Sequence, residues 1–480
     1  MKRVLAYLLV LVIVFTALPI SFVNAATGGY YSTGTYRNIF VETGRTEAQV
    51  QDKLNTMFDK FFKGDTNNQR LFYESGTDEA YIRDTGNNDV RSEGMSYAMM
   101  ICVQMDKKKE FDMLWKWSRN HMYQSSGQYK GFFAWQCNYS GGIMDTTPAS
   151  DGDEYFAMAL LFAARRWGNG TGIYNYEAEA QVILDAMLHQ ADDGVGVNMF
   201  DKTQNQVVFC PNGGSATFTD PSYHLPAFYE LWALWAKNQN DRTTWSKIAA
   251  TSREFFKKST NSTTGLNPDY ANFDGTPKDV SWSSGHADFR YDAWRVASNV
   301  CVDYAWWQKD AWASTTFAPK IQSFFKKEGV STHGSNYTLA GSKLNSDHSP
   351  GLVAMNAVTA MASDAATAKP FVDELWNTAV PSGQYRYYDG MLYMLGMLHL
   401  SGNFKIWGAV PTVMCGDVNQ DNVIDALDSA VLKSYLLGKI TTLPSMQAAD
   451  TNADSSVDAI DFAILQQYLL GKITTLPYGN

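Results

Sequence analysis

Between about Thr27 and Trp407, apolar residues recur at helical spacing in twelve successive segments, and this pattern limits what the chain can fold into. The segments lie at about 46–63, 91–106, 107–121, 153–167, 175–190, 222–239, 241–258, 293–309, 311–328, 349–363, 366–378 and 388–402, and strand signals between them are sparse. Roughly 380 residues is above the usual size of one core. No composition break divides them. A closed, repetitive, all-α architecture satisfies both facts, because a ring of helices shares one continuous core.

If consecutive helices run antiparallel, every even-numbered one starts at the same end of the domain. Those six heads carry Glu93, Asp151, Tyr223 with His224, Asp292, His348, and Tyr387-Tyr388-Asp389, whereas odd heads show ordinary pairs such as Thr46-Glu47 and Asp241-Arg242. One rim of the ring therefore collects carboxylates, imidazoles and phenols. Glu93 is the most telling, because the segment after it, Met95 to Val103, is apolar nearly all round. A carboxylate there is either paired or has a raised pKa.

Each head also has a structural reading. Asp151 with Glu154 matches a capping box, and Asp292 reads equally as a plain N-cap. Glu93 could simply pair with Arg91, and His348 alone fits a loop histidine. The chain has no GxSxG, no phosphate-cradling glycine loop and no metal-ligand spacing in this region. What remains is carboxylates among aromatics. Glycoside hydrolysis needs two carboxyl groups flanking a sugar bond, one protonated and one ionised, and Glu93 with Asp292 fit those roles.

Lys2 and Arg3, an apolar run from Leu5 to about Ile20 and then Val23-Asn24-Ala25 have the form of a signal peptide ending at residue 25, so a secreted, extracellular protein is expected. Its removal takes two positive charges from a net charge of −10, an acidic balance that argues against nucleic acid as partner. No other stretch is long and apolar enough to span a membrane. Five scattered cysteines, Cys102, Cys137, Cys210, Cys301 and Cys415, suit neither a disulfide framework nor a zinc site, and leave one disulfide open. Aromatic residues make up 14% of the chain, and such rings stack on sugar C–H faces as well as filling cores.

The C-terminus repeats itself. YLLGKITTLP occurs twice, each copy preceded by an acidic loop, DVNQDNVIDALD from Asp417 and DTNADSSVDAID from Asp450. Oxygen-bearing side chains fall at loop positions 1, 3, 5, 9 and 12: Asp417, Asn419, Asp421, Asp425 and Asp428, then Asp450, Asn452, Asp454, Asp458 and Asp461. The carbonyls of Val423 and Ser456 stand at position 7. This is EF-hand loop spacing and predicts two calcium ions. It departs from the usual loop in having Asp rather than Glu at position 12, and Asn422 or Ser455 rather than Gly at position 6.

This duplicated loop-helix unit resembles a type I dockerin of a clostridial cellulosome. The resemblance implies a calcium-dependent adaptor, residues 415–480 after a linker at 408–414, that docks onto a cohesin of a scaffolding protein. Ala426-Leu427 and Ala459-Ile460 occupy the positions that help choose the cohesin in that family. The blocks DVRSEGMSYAMM, ASDGDEYFAMAL, FTDPSYHLPAFYELW, RYDAWRVASNVCVDYAW and LSGNFKIW resemble glycoside hydrolase family 8, in its xylan-active branch. Over residues 27–407 that resemblance implies an (α/α)6 barrel and inverting cleavage of β-1,4 backbones without a catalytic cofactor. Carried over by position, Glu93 is the general acid, Asp292 the base and Asp151 a carboxylate gripping the distorted sugar. Trp135, Tyr223 and Tyr388 would contact sugar, as would His348. Some members of this branch release xylose from reducing ends because a Leu-His-Pro loop closes the cleft. Here the stretch reads Asp347-His348-Ser349, which leans the expectation toward an endo-acting xylanase. Exo action, glucan as substrate, and a binding barrel without catalysis remain the alternatives.

Overall fold

The computed structural model describes residues 28–192, 194–408, 414–420, 423–454 and 456–478. The expected signal peptide, most of the expected linker, and Asp421, Asn422 and Ser455 lie outside them.

All twelve predicted helices are present: α1 Glu47–Lys63, α2 Ser92–Gln104, α3 Lys108–His121, α4 Ser150–Trp167, α5 Tyr176–His189, α6 Pro226–Trp235, α7 Gln239–Ser259, α8 Val296–Trp307, α9 Ala318–Glu328, α10 Pro350–Val358, α11 Ala365–Asn377 and α12 Arg386–Leu400. The even helices form the inner ring. Helix α2 packs on α4 and on α12, α12 on α10, α10 on α8 and α8 on α6. The last junction, α4 to α6, is made by the Tyr155 and Phe228 rings, 5.2 Å apart, and by Tyr229 donating to Glu154. This is an (α/α)6 barrel, as expected.

Sequence explains which helix goes where. In α2 every residue but Glu93 is buried, and α4 is buried from Ser150 to Ala163. A helix apolar all round has to be covered on every side. Helix α1 instead buries only the stripe Val50, Leu54, Met57, Phe58, Phe61 and Phe62, as suits an outer helix with one face in water. The sparse strand signals correspond to short pieces, among them an antiparallel ribbon of Val90–Arg91, Gln136–Cys137 and Ile143–Asp145. That ribbon matters to the site, because the Ser92 amide donates to the Trp135 carbonyl at 3.0 Å and so seats Trp135 beside the head of α2.

Helix starts deviate where local chemistry overrides periodicity. Helix α6 begins at Pro226 rather than near 222, after a 3-10 turn at Pro221–Tyr223, because proline suits the first helical turn. Helix α8 is preceded by a 3-10 turn, Asp292–Arg295, and α9 by a π-helical turn, Ala313–Phe317. All five cysteines are free thiols, so the disulfide left open by the sequence is not formed.

The C-terminal segment has its own core of Val418, Leu432, Ala449 and Leu465, between helices α13 Ala426–Leu436 and α14 Ala459–Leu469.

Close approach of α2 and α4 depends on Gly152. A Cβ there would lie 2.5 Å from the Ser92 hydroxyl and 3.1 Å from the Ser92 carbonyl carbon. Gly152→Ala should therefore cost about 1–3 kcal/mol of stability, read as a lower urea midpoint. An unchanged midpoint would show that the two heads have room to separate.

Candidate active site and candidate calcium loops

Glu93 and Asp151 occupy equivalent places, each the second residue of an inner helix, on the neighbours α2 and α4. Asp292 opens the 3-10 turn that leads into α8. One side chain joins all three. The Arg295 guanidinium donates through Nη1 to Asp151 Oδ2 at 2.6 Å and to Glu93 Oε2 at 3.4 Å, and through Nη2 to Asp292 Oδ1 at 2.9 Å. Its Nη1 also meets the Tyr97 hydroxyl. Arg295 and Asp151 are sealed in, with side chains 5% and 4% exposed, while Glu93 at 16% and Asp292 at 26% open toward solvent. Glu93 and Asp292 are thus the more accessible of the three carboxyl groups.

Burial pushes Glu93 up to about 7, with Arg295 opposing and the neighbouring Asp151 and Asp292 adding to the rise. Tyr387 donates a hydrogen bond to Glu93 Oε1 at 2.9 Å. Gly94 makes room for it, since a Cβ at Gly94 would sit 2.5 Å from the Tyr387 ring. Burial also raises Asp151 and Asp292 above the usual aspartate range, and in both Arg295 is the strongest counterweight. Asp292 was expected simply to stay ionised. Here its ionisation depends on the guanidinium beside it.

The structural readings fare differently. Asp151 is not part of a capping box: Ala149 precedes the first turn of α4 without a side-chain cap, Asp151 gives Oδ1 to the Gly152 amide at 2.8 Å and Oδ2 to Arg295, and Glu154 takes the Tyr229 hydroxyl. Arg91 does not pair with Glu93, because its Nε lies 3.1 Å from both Asp84 and Asp89. Asp292 caps nothing, and its own amide is capped by Asp269 at 3.0 Å. Asp389 serves α10, accepting from the Ser349 hydroxyl and, at 3.0 Å, from the Gly351 amide. His224 is buried between Thr219 and Ser252 and held down to about 3 by desolvation.

Among the expected sugar contacts, Tyr388 stands at the site, its hydroxyl 2.9 Å from the Tyr291 carbonyl and 3.5 Å from Asp292 Oδ1. Trp135 is half-buried, with Arg91 5.2 Å above its ring. Tyr223 lies deeper, buried with Phe209 stacked on it and Arg295 5.5 Å from its ring, so it forms floor rather than rim. His348 is not brought to the carboxylates. Its Nδ1 meets the His333 carbonyl at 3.0 Å and its Nε2 lies 3.6 Å from Glu374 on outer helix α11.

Arg295 and Tyr97 were not singled out from sequence, and Tyr387 was named as part of a helix head without a role. Their spacing carried a signal: Arg295 follows Asp292 by three residues and Tyr97 follows Glu93 by four, the separations that place side chains on one helical face. Tyr387 adjoins Tyr388.

Residues 72–402 match the family described as glycosyl hydrolases family 8. The chain belongs to that family. Residues 415–470 match the dockerin type I domain. The reducing-end xylose-releasing exo-oligoxylanase Rex8A of Paenibacillus barcinonensis is 44% identical over 80% of this chain and 100% of its own. Its structure with xylose superposes with a TM-score of 0.76. A reducing end xylose-releasing exo-oligoxylanase of Halalkalibacterium halodurans is 43% identical over 79% of this chain and 97% of its own. A family 8 xylobiose complex from Teredinibacter turnerae is 45% identical over 79% of this chain and 100% of its own, with a TM-score of 0.77.

In the dockerin both loops fold alike. Asp428 accepts the amides of Asn419 at 2.9 Å and Asp425 at 2.8 Å, and Asp461 accepts those of Asn452 at 3.3 Å and Asp458 at 2.8 Å. Position 12 is thereby drawn onto positions 3 and 9. Gln420 and Ala453, each at position 4, have positive φ of 63° and 59°. The donor set is hard oxygen throughout the described positions, which fits calcium.

Tyr387→Phe removes a donor that favours ionised Glu93, so the Glu93 pKa should rise. The alkaline limb of the kcat/KM profile should then move to higher pH. A limb that stays in place would show that Tyr387 does not tune the acid.

Proposed function

We propose that this chain hydrolyses β-1,4-xylosidic bonds with inversion, Glu93 acting as general acid, Asp292 as base and Asp151 as a carboxylate holding the sugar at the cleavage point. The observation that carries this reading is the pair of open carboxyl groups held by different nitrogens of one buried guanidinium, with Glu93 pushed up to about 7. Protonated Glu93 gives its proton to the leaving glycosidic oxygen as the C–O bond breaks. Asp292 takes a proton from the water that attacks the anomeric carbon from the other face. Arg295 keeps Asp151 and Asp292 anionic, so that a positively charged sugar ring develops among negative charges.

Xylan-type substrates are supported by relatives at 43–44% identity over nearly their whole length. The activities of those relatives favour release of xylose from the reducing end over the endo-acting mode expected from sequence. A specific observation keeps the endo mode as a second reading: His348, the residue retained from a Leu-His-Pro loop, faces Glu374 rather than the carboxylates. Early products decide between them, xylose alone for the exo mode and a spread of oligomers for the endo mode.

The dockerin supports attachment to a cohesin, and with it secretion and cellulosome association. Asp417, Asn419, Asp421, Val423, Asp425 and Asp428 would hold one calcium, and Asp450, Asn452, Asp454, Ser456, Asp458 and Asp461 the other. Each ion offsets the repulsion of four aspartates. Chelation should abolish cohesin binding and the circular dichroism change on calcium addition, while hydrolysis by the barrel continues. Cohesin binding that survives chelation would refute the calcium role.

Glu93→Gln and Asp292→Asn should each lower kcat by about 10²–10⁴-fold, with little change in binding. Activity should fall as pH rises through about 7, because the acid must be protonated. Proton NMR should show the α-anomer first from a β-linked substrate. A β-anomer as first product overturns the assignment.

A further inference from the structure

Behind the base lies a pair of residues that the mechanism above does not use. Asp269 is buried, 1% exposed, and reaches the base from a separate stretch of chain. Its Oδ1 accepts both amides at the start of the 3-10 turn, those of Asp292 at 3.0 Å and Ala293 at 3.1 Å. Its Oδ2 accepts from His286 Nδ1 at 2.6 Å. The other ring nitrogen of His286 meets the Ser283 hydroxyl at 2.9 Å. The imidazole lies flat on Tyr270, 4.1 Å between centroids and 2° between planes. The loop that carries His286 is itself pinned: Asp279 Oδ1 accepts the amides of Gly285 at 2.8 Å and His286 at 2.9 Å, and the Tyr270 amide donates to the His286 carbonyl at 2.8 Å.

This arrangement has a physical purpose. A 3-10 turn leaves its first amides without partners, and Asp292 sits on the first of them. Within the turn the Arg295 guanidinium holds the Asp292 carboxylate at 2.9 Å, while the backbone that carries it takes its partner from outside. Asp269 fixes the backbone with one oxygen, and the chain Ser283, His286, Asp269 fixes that oxygen in turn. A water-activating carboxylate displaced by about 1 Å loses about 10²-fold in rate.

We propose that Asp269 and His286 are positioning residues for Asp292, setting the place from which the base reaches its water; this rests on the reading of Asp292 as base. Neither side chain is required to touch substrate.

The test is steady-state kinetics of full-length Asp269→Ala, Asp269→Asn, His286→Ala and His286→Gln on xylotetraose and on β-xylobiosyl fluoride, with thermal midpoints measured alongside. Fluoride leaves without a proton from Glu93, so this substrate isolates the base. Asp269→Ala should lose about 10²-fold in kcat with KM nearly constant, and the loss should persist on the fluoride, where the Glu93→Gln deficit should shrink. Asp269→Asn, which keeps an acceptor for both amides, should recover most of the rate. His286→Ala should lose about tenfold, with the loss again persisting on the fluoride. The proposal is overturned if Asp269→Ala lowers only the thermal midpoint, with kcat unchanged well below it, or if its deficit vanishes on the fluoride. Should Asp269→Ala not fold, the two His286 variants decide by the same criteria. Asp292→Asn is the separate control: normal turnover there rejects Asp292 as base, whereas a dead Asp292→Asn with fully active Asp269 and His286 variants rejects only the positioning role.

Discussion

Charge buried at the end of an apolar ring is the constraint on which this molecule turns. Six inner helices, buried over most of their length, have to be packed on every side, and their N-termini emerge at one rim. Carboxylates placed there lose water, and burial lifts each of them. Without compensation the lost hydration would favour three neutral acids. Arg295 prevents that unequally. Among the carboxylates its two shorter contacts, at 2.6 and 2.9 Å, go to Asp151 and Asp292, and its longest, at 3.4 Å, goes to Glu93. One cation thus gives the three carboxyl groups different environments, as the proposed division between a proton donor and a proton acceptor requires. Such division of labour by environment is how two like carboxyl groups serve opposite roles.

Glycines supply the close contacts that this requires. Gly94 lets Tyr387 lie against the head of α2, and Gly152 lets α4 come up to Ser92. Each follows its carboxylate directly in sequence. A side chain at either place would push apart the elements that surround Arg295. The site is therefore a property of how the helix heads pack, and less of any one loop.

The dockerin solves a different electrostatic problem. Its acids are not buried in an apolar ring but gathered in short loops, where the position-12 aspartates draw the loop closed through backbone amides. The same spacing in both copies gives the same fold twice.

Much was legible in the linear chain. Twelve helical periods, the alternation of bare and chemically loaded heads, and the duplicated acidic loops depend on local periodicity and spacing, which a sequence states directly. From these came a closed all-α architecture, Glu93, Asp151 and Asp292 on one rim, and two calcium-type loops, while the six-fold barrel and the dockerin came from resemblance to known families. The partners of those residues were another matter. Glu93 and Arg295 are 202 residues apart and meet only when the ring closes, whereas Asp269 and Asp292, 23 residues apart, meet through the fold of the connection between α7 and α8. Sequence left Asp151 open as a capping residue and Arg91 as a partner of Glu93, because both have suitable neighbours nearby in the chain. The tertiary structure gave Asp151 to Arg295, Arg91 to Asp84 and Asp89, and turned His348 toward the outer layer. Local spacing fixes which groups arrive at the rim; which of them meet is decided by packing, since a hydrogen bond depends on distance in space and not on separation along the chain.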